Sequence, residues 1–383
     1  MKLLRLGDRG PGVADVRAAL TYLSFLPAAP RQPGDGNSAA PGADLFDERL
    51  DRAVRAFQQS RGLSVDGIIG PDTTRALDEA RHRLGDRLLY HVPSRPFVGD
   101  DVAALQTRLS NMGFDIGRSD GIFGARTEAA VRDFQRNRGL EPDGRCGPQT
   151  LRELKRLERT VTGGRPDVLR ESTRLLVRGS SLLGTVVAID AGHGGTDPGV
   201  VAHELTERDI VADLASRLAA RLQSSGLETF RVHSDSEAPD DAERARRANE
   251  RGADLLISLH ADASDSPRAE GVSCYYFGNA HGSSAVGERL AALIQKELVS
   301  RTDMLDCWTH AKTWELLRRT TMPAVRIEVG YLTSPRDAAA LGSADYRATI
   351  AEAVLAAIQR LYLPPEQDPP TGQLRVPRVA TRS

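Results

Sequence analysis

Val186-Val187-Ala188-Ile189-Asp190-Ala191-Gly192-His193-Gly194-Gly195 runs from an apolar, β-branched stretch into an imidazole set among glycines. The first half reads as a buried strand. The glycines end it and let the backbone bend and come close to a ligand. In open α/β sheets ligands sit outside the carboxyl ends of the strands, so His193 stands where chemistry is done. A His beside Gly in a turn also serves purely structural ends, so its weight depends on what lies downstream.

Downstream the pattern alternates strand and helix. Glu204 to Gln223 is expected to be helical, with Ile210, Leu214, Leu218 and Leu222 at four-residue spacing and Gly226 as the stop. Strands are expected at Thr229–Val232, Asp254–His260, Val272–Phe277 and Pro323–Tyr331, and helices over Asp240–Arg251, Ser283–Val299 and Tyr346–Tyr362. This is an α/β domain, a mixed sheet flanked by helices, over 184–362.

Upstream the chain repeats itself. Phe57-Gln58-Gln59-Ser60-Arg61-Gly62-Leu63 and Val65-Asp66-Gly67 match Phe134-Gln135-Arg136-Asn137-Arg138-Gly139-Leu140 and Pro142-Asp143-Gly144 at an offset of 77 residues. Val13, Val16, Leu20 and Leu23 share helical spacing with Val102, Leu105, Leu109 and Met112 at an offset of 89, so the first copy carries an insertion, placed in the Pro/Gly/Ala-rich segment 27–43. Each copy predicts three short helices, the third opened by Gly70-Pro71 or Gly147-Pro148. The Asp-Gly pairs are turn chemistry.

These repeats, at 1–82 and 92–158, resemble the peptidoglycan-binding-domain-1 family, a three-helix module. Asp120-Gly121-Ile122-Phe123-Gly124 and Phe134-Gln135 carry the likeness, and the second copy matches better because Asp47 stands where it has Gly124. The resemblance implies glycan or peptide binding. The same Phe, Leu and Gly residues identify only core and turns, so a spacer or protein-docking role stays open. A linker containing a helix is expected over 159–183 and a disordered tail over 363–383.

With 383 residues, 40% hydrophobic and 27% charged, the chain is long enough for two or three domains, each with its own core. A formal net charge of −1 argues against a nucleic-acid partner. Cys146, Cys274 and Cys307 show neither metal spacing nor a disulfide framework and read as buried or free thiols. The first eight residues contain no apolar core of a signal peptide, and no uncharged run is long enough for a membrane span. The expectation is a cytoplasmic protein, with attachment to the cell wall by an unrecognised route as the alternative.

A catalytic metal needs three ligands from His, Asp or Glu and a nearby free carboxylate to carry the proton. His193 and His260 each end an expected strand, Glu207 lies in the first turn of the intervening helix, and Glu328 sits inside the apolar strand Val325 to Val329. Each has a plainer reading. Glu207 complements a helix dipole, His260 is a core His, and Glu328 forms a structural ion pair with Arg326, two residues away on the same face.

Ile189-Asp190-Ala191-Gly192-His193-Gly194-Gly195-Thr196-Asp197-Pro198-Gly199, Glu207-Arg208-Asp209, Ala253 to Asp262 and Pro323 to Leu332 together resemble the zinc-dependent N-acetylmuramoyl-L-alanine amidase type 3 family. The resemblance covers about 184–362. It implies Zn2+ held by His193, Glu207 and His260, Glu328 as the catalytic acid/base, and cleavage of the amide between N-acetylmuramic acid and L-alanine in peptidoglycan or its precursors. Two departures stand out. His233-Ser234-Asp235 replaces a common Thr-Arg pair, and Arg326 replaces an apolar residue. Arg326 is expected to modulate the site by holding Glu328 ionised, weakening it as a general base near neutral pH and favouring metal binding over turnover.

A second reading comes from the overall layout, which resembles a group of actinobacterial cell-wall regulators. It implies a cytoplasmic regulator of precursor synthesis with weak or no amidase activity, bound to the UDP-N-acetylglucosamine enolpyruvyl transferase and switched by a Ser/Thr kinase. Thr381, in the basic tail Arg375 to Ser383, is the candidate phosphosite. An inert tail is the plain alternative.

Overall fold

The computed structural model describes residues 3–27, 44–63, 65–158, 182–264, 266, 269–279, 282–363 and 367–374. They fall into two compact units, one within 1–167 together with 279–282 and one formed by the rest. Of the insertion expected at 27–43 and the linker expected at 159–183, residues 28–43 and 159–181 lie outside the described residues, as does the candidate phosphosite Thr381.

The amino-terminal unit holds two helix triads: α1 (Pro11–Tyr22), α2 (Glu48–Ser60) and α3 (Pro71–Ala80), then α4 (Asp100–Asn111), α5 (Ala125–Asn137) and α6 (Pro148–Glu158). Each triad closes on one apolar cluster, around Leu20, Leu50, Val54 and Phe57 in the first and Leu105, Leu109, Val131 and Phe134 in the second. The repeated glutamine builds the turn between the second and third helices. Gln58 Nε2 donates to Asp66 Oδ1, the Ile68 carbonyl and Thr73 Oγ1, while its Oε1 accepts from Gly67 N. Gln135 makes the equivalent four bonds to Asp143, Arg145, Thr150 and Gly144. Asp47, the residue that sets the first copy apart, caps α2 by accepting from Leu50 N at 2.8 Å. A side-chain cap stands where the second copy uses a glycine.

The second unit is built on a mixed six-stranded sheet of β1 (Val186–Ala191), β4 (Glu228–Arg231), β5 (Leu255–Asp262), β6 (Val272–Phe277), β7 (Asp306–Lys312) and β8 (Ala324–Tyr331), in the order β4-β1-β5-β8-β6-β7. β4, β1, β5 and β8 run parallel, and β6 and β7 run against them. One face packs on α7 (Glu207–Ser224), α9 (Ala285–Arg301) and α12 (Ala344–Tyr362). The other packs on α8 (Asp241–Glu250) and the short α10 (Glu315–Arg319). Strands such as Leu255-Leu256-Ile257 are buried on both faces, which is why they read as unbroken apolar runs.

Several expectations are corrected. The helix expected from Glu204 starts at Glu207, because Leu205–Thr206 form β3, which pairs with β2 (Val201–Ala202). β7 was not anticipated. It is an edge strand of mixed polarity, paired on one side only. Nor were α10 and α11 (Pro335–Gly342). The tail expected to be disordered is docked over 367–374. Arg360 grips Asp368 through two bonds, Gly372 N donates to Glu297 Oε1, and Arg301 donates to the Leu374 carbonyl. Glu297 is fully buried and ion-paired to both Arg301 and Arg360, so the segment completes the solvation of a buried charge.

Candidate functional site

His193, Glu207 and His260 come together at the carboxyl ends of β1 and β5. Each offers a ligand atom, and these atoms lie within 4.8 Å of one another. His193 Nε2 is 2.9 Å from Glu207 Oε2, and His260 Nδ1 is 3.0 Å from Glu207 Oε1. The rings meet edge to face with centroids 5.2 Å apart.

The backbone makes this approach possible. A Cβ at Gly192 would lie 2.3 Å from the His260 ring, and one at Gly199 would lie 2.5 Å from Glu207 Oε2 and 2.6 Å from the His193 ring. Both positions therefore need glycine. His193 has φ 64°, a left-handed conformation that side-chain-bearing residues rarely adopt.

Fixed groups orient the three donors. Asp197 Oδ2 is 2.7 Å from His193 Nδ1, leaving Nε2 turned to Glu207. Glu207 accepts from Val200 N and Ala261 N, each at 3.0 Å. Burial raises the Glu207 carboxyl, but the bonds from His193 and His260 prevail and hold it well below the usual carboxylate range. The Glu207 bond in turn raises the His193 imidazole above its ordinary value. Two imidazoles and one carboxylate with buried, oriented neighbours form a donor set that fits a divalent metal.

Behind the cluster, Arg244 of α8 holds the turn from below. It donates to Asp190 Oδ1 at 2.7 Å and to the carbonyls of Ala191 and His193. Asp190 also accepts from Ser258 Oγ at 2.7 Å, and His233 lies 2.7 Å from the Ala191 carbonyl. His233, noted above only as a departure, is thus a buried prop for the turn that carries His193. Asp190 and Asp197 sat inside the quoted motif and could have been singled out. Arg244 carried no local signal.

Glu328 of β8 stands in register with His260 of β5. Arg326 Nε and Nη2 both bind Glu328 Oε1 at 2.7 Å, so the expected ion pair is present. Glu328 is buried, and its Oε2 has no hydrogen-bond partner. It is the one carboxylate oxygen in that state among the described residues. Burying such an atom unpaired costs roughly 1–3 kcal/mol, more for a charged group. Burial and the neighbouring Glu328 charge raise the carboxyl of nearby Asp262. The Arg326 guanidinium stacks over Trp314, 4.7 Å from the ring centroid.

The N-acetylmuramoyl-L-alanine amidase family model matches residues 187–360, and the peptidoglycan binding domain model matches 9–77 and 98–154. The chain is 48% identical over 374 residues to N-acetylmuramoyl-L-alanine amidase CwlM of Mycobacterium tuberculosis, covering 96% of this chain and 92% of that one. It is 31% identical over 206 residues to the germination-specific N-acetylmuramoyl-L-alanine amidase of Bacillus subtilis, covering 49% and 84%. Among solved structures, N-acetylmuramoyl-L-alanine amidase AmiC2 of Nostoc punctiforme aligns with 28% identity and a TM-score of 0.43, over 47% of this chain and 97% of that one.

Proposed function

The chain belongs to the N-acetylmuramoyl-L-alanine amidase family, and from that premise we propose that it hydrolyses the amide joining the lactyl group of N-acetylmuramic acid to L-alanine, with His193, Glu207 and His260 holding Zn2+ and Glu328 carrying the proton. Its two peptidoglycan-binding segments hold it to the same polymer. The domain limits proposed are 1–82, 92–158 and 184–362.

Bound Zn2+ supplies Lewis acidity toward a carbonyl oxygen and lowers the pKa of a water molecule. The rest falls to the protein. Asp197 fixes the His193 ring. Val200 N and Ala261 N fix both oxygens of Glu207. Arg326 occupies Oε1 of Glu328 and leaves Oε2 to accept the proton of the attacking water. As the water oxygen bonds to the carbonyl carbon and the C–N bond breaks, that proton passes from Oε2 to the departing amine of L-alanine. The unpartnered Oε2 is the observation that carries the role of Glu328, because a purely structural carboxylate would be expected to have both oxygens paired.

Arg326 is proposed as a positioning residue whose hold on Glu328 outweighs the weakening of the base expected from its charge, so Arg326→Ala should lower kcat more than it raises KM, and a higher kcat would show that the weakening prevails. Purified full-length protein loaded with Zn2+ should release muramic-acid-linked peptides from isolated sacculi. No release, with Glu328→Ala indistinguishable from wild type, would remove the hydrolase reading.

The alternative of a regulator with weak or no activity, bound to a precursor-synthesis enzyme and switched by a Ser/Thr kinase at Thr381, is not favoured by these likenesses. It would be supported if Thr381→Ala altered wall synthesis while sacculus hydrolysis was unchanged. Among the described residues no helix is long and apolar enough to cross a membrane.

A further inference from the structure

Trp308 lies 72% exposed on β7 with φ 69°. Two features that cost free energy, an exposed indole and a left-handed backbone, coincide at one residue. Neighbours hold it there. Asp306 Oδ1 accepts from Trp308 N at 2.9 Å and from the buried Gln295 Nε2 at 2.7 Å. His310 Nε2 donates to the Cys307 carbonyl at 2.7 Å.

The register explains what this arrangement serves. Val272 pairs with Asp306 and Cys274 with Thr309, so a bulge sets Cys307 and Trp308 together opposite Ser273. Ser273 pairs with Glu328, and Glu328 with His260. Trp308 therefore stands in the same row across the sheet as the proton carrier, two strand spacings or about 10 Å away. His310, further along the strand beyond the bulge, packs on Tyr275, which contacts Trp314 beneath Arg326. Bulges next to active sites re-aim a side chain in this way.

We infer that Trp308 is a stacking platform for an N-acetylhexosamine ring of the glycan strand, which it holds in line with Glu328. The choice of ligand rests on the amidase reading. The C–H face of a pyranose is apolar and weakly positive, matching the negative face of an indole. A sugar near the one that bears the scissile amide must lie within about this distance of the reacting carbonyl.

The chain has two tryptophans, Trp308 and Trp314, so fluorescence excited at the red edge, where its seven tyrosines do not absorb, reports on this region alone. Full-length protein titrated with tetra-N-acetylchitotetraose should show a saturable emission change, and Trp308→Phe, which keeps Trp314, should lose it. No change in wild type, or an undiminished change in Trp308→Phe, overturns the inference. On sacculi, Trp308→Ala should raise KM about tenfold, equivalent to ~1.4 kcal/mol, with kcat little altered; an unchanged KM counts equally against it. Saccharide-responsive fluorescence without sacculus hydrolysis would sink the amidase reading and leave the platform standing. Hydrolysis with unresponsive fluorescence would do the reverse.

Discussion

Two buried polar clusters use similar side chains to opposite ends. In the helical repeats, Gln58 and Gln135 each satisfy both ends of the amide with four short bonds to their own turn. In the α/β unit, His193, Glu207 and His260 face one another, and Glu328 keeps one oxygen unpaired. The glutamines complete a fold. The acids and imidazoles are held by the fold in a state it does not complete, which suits a metal, a water and a substrate. The contrast is sharpest at Glu328, whose Oε2 is the one carboxylate oxygen left buried and unpartnered among the described residues.

The comparison predicts its largest effect at Glu328. Glu328→Gln should lower sacculus hydrolysis about 10²–10⁴-fold while leaving the melting temperature near wild type. A large loss of stability would mean that the carboxylate is structural. Asp197→Ala should cost about 10–100-fold in Zn2+ affinity by loosening the His193 ring, measured by chelator competition. Unchanged affinity would show that the Asp197 contact does no orienting.

At Gln135 the sign of the comparison reverses. Gln135→Ala strands a buried Gly144 N–H and should destabilise the amino-terminal unit by roughly 2 kcal/mol, read by urea unfolding, with hydrolysis of a soluble muropeptide unchanged. A drop in that hydrolysis would blur the distinction.

The smallest effect is on pH. Contact with Glu207 raises the metal-free His193 above its ordinary value. The protonated ring's contribution to stability is full below about 6.5 and is lost as pH rises through the folded-state pKa. Metal binding must expel that proton, so Zn2+ affinity should rise up to about tenfold per pH unit until His193 has titrated. A flat profile between pH 6 and 8 would place His193 outside the metal site.

Local signals carried the repeats and the main strands. Helical spacing, Asp-Gly turns and Pro at the first helical turn act within a few residues, so α1 to α6 were legible. The apolar runs of β1, β5 and β8 were legible because burial on both faces leaves no polar alternation to decode. β7 was not legible, since an edge strand of mixed polarity such as Asp306-Cys307-Trp308-Thr309-His310 carries no such run. The docking of 367–374 was hidden too, because it depends on Glu297, distant in sequence and buried among arginines.

By itself the sequence determined which side chains could meet a metal: it placed His193 and His260 at strand ends, Glu207 at a helix start and Glu328 inside an apolar strand. Only the tertiary structure decided that His193, Glu207 and His260 converge, that Arg326 takes one oxygen of Glu328 and leaves the other bare, and that Arg244 braces the turn from below. The physical reason is range. Propensity and periodicity act along the chain, whereas coordination, ion pairing and desolvation act across strands that only the folded sheet brings side by side.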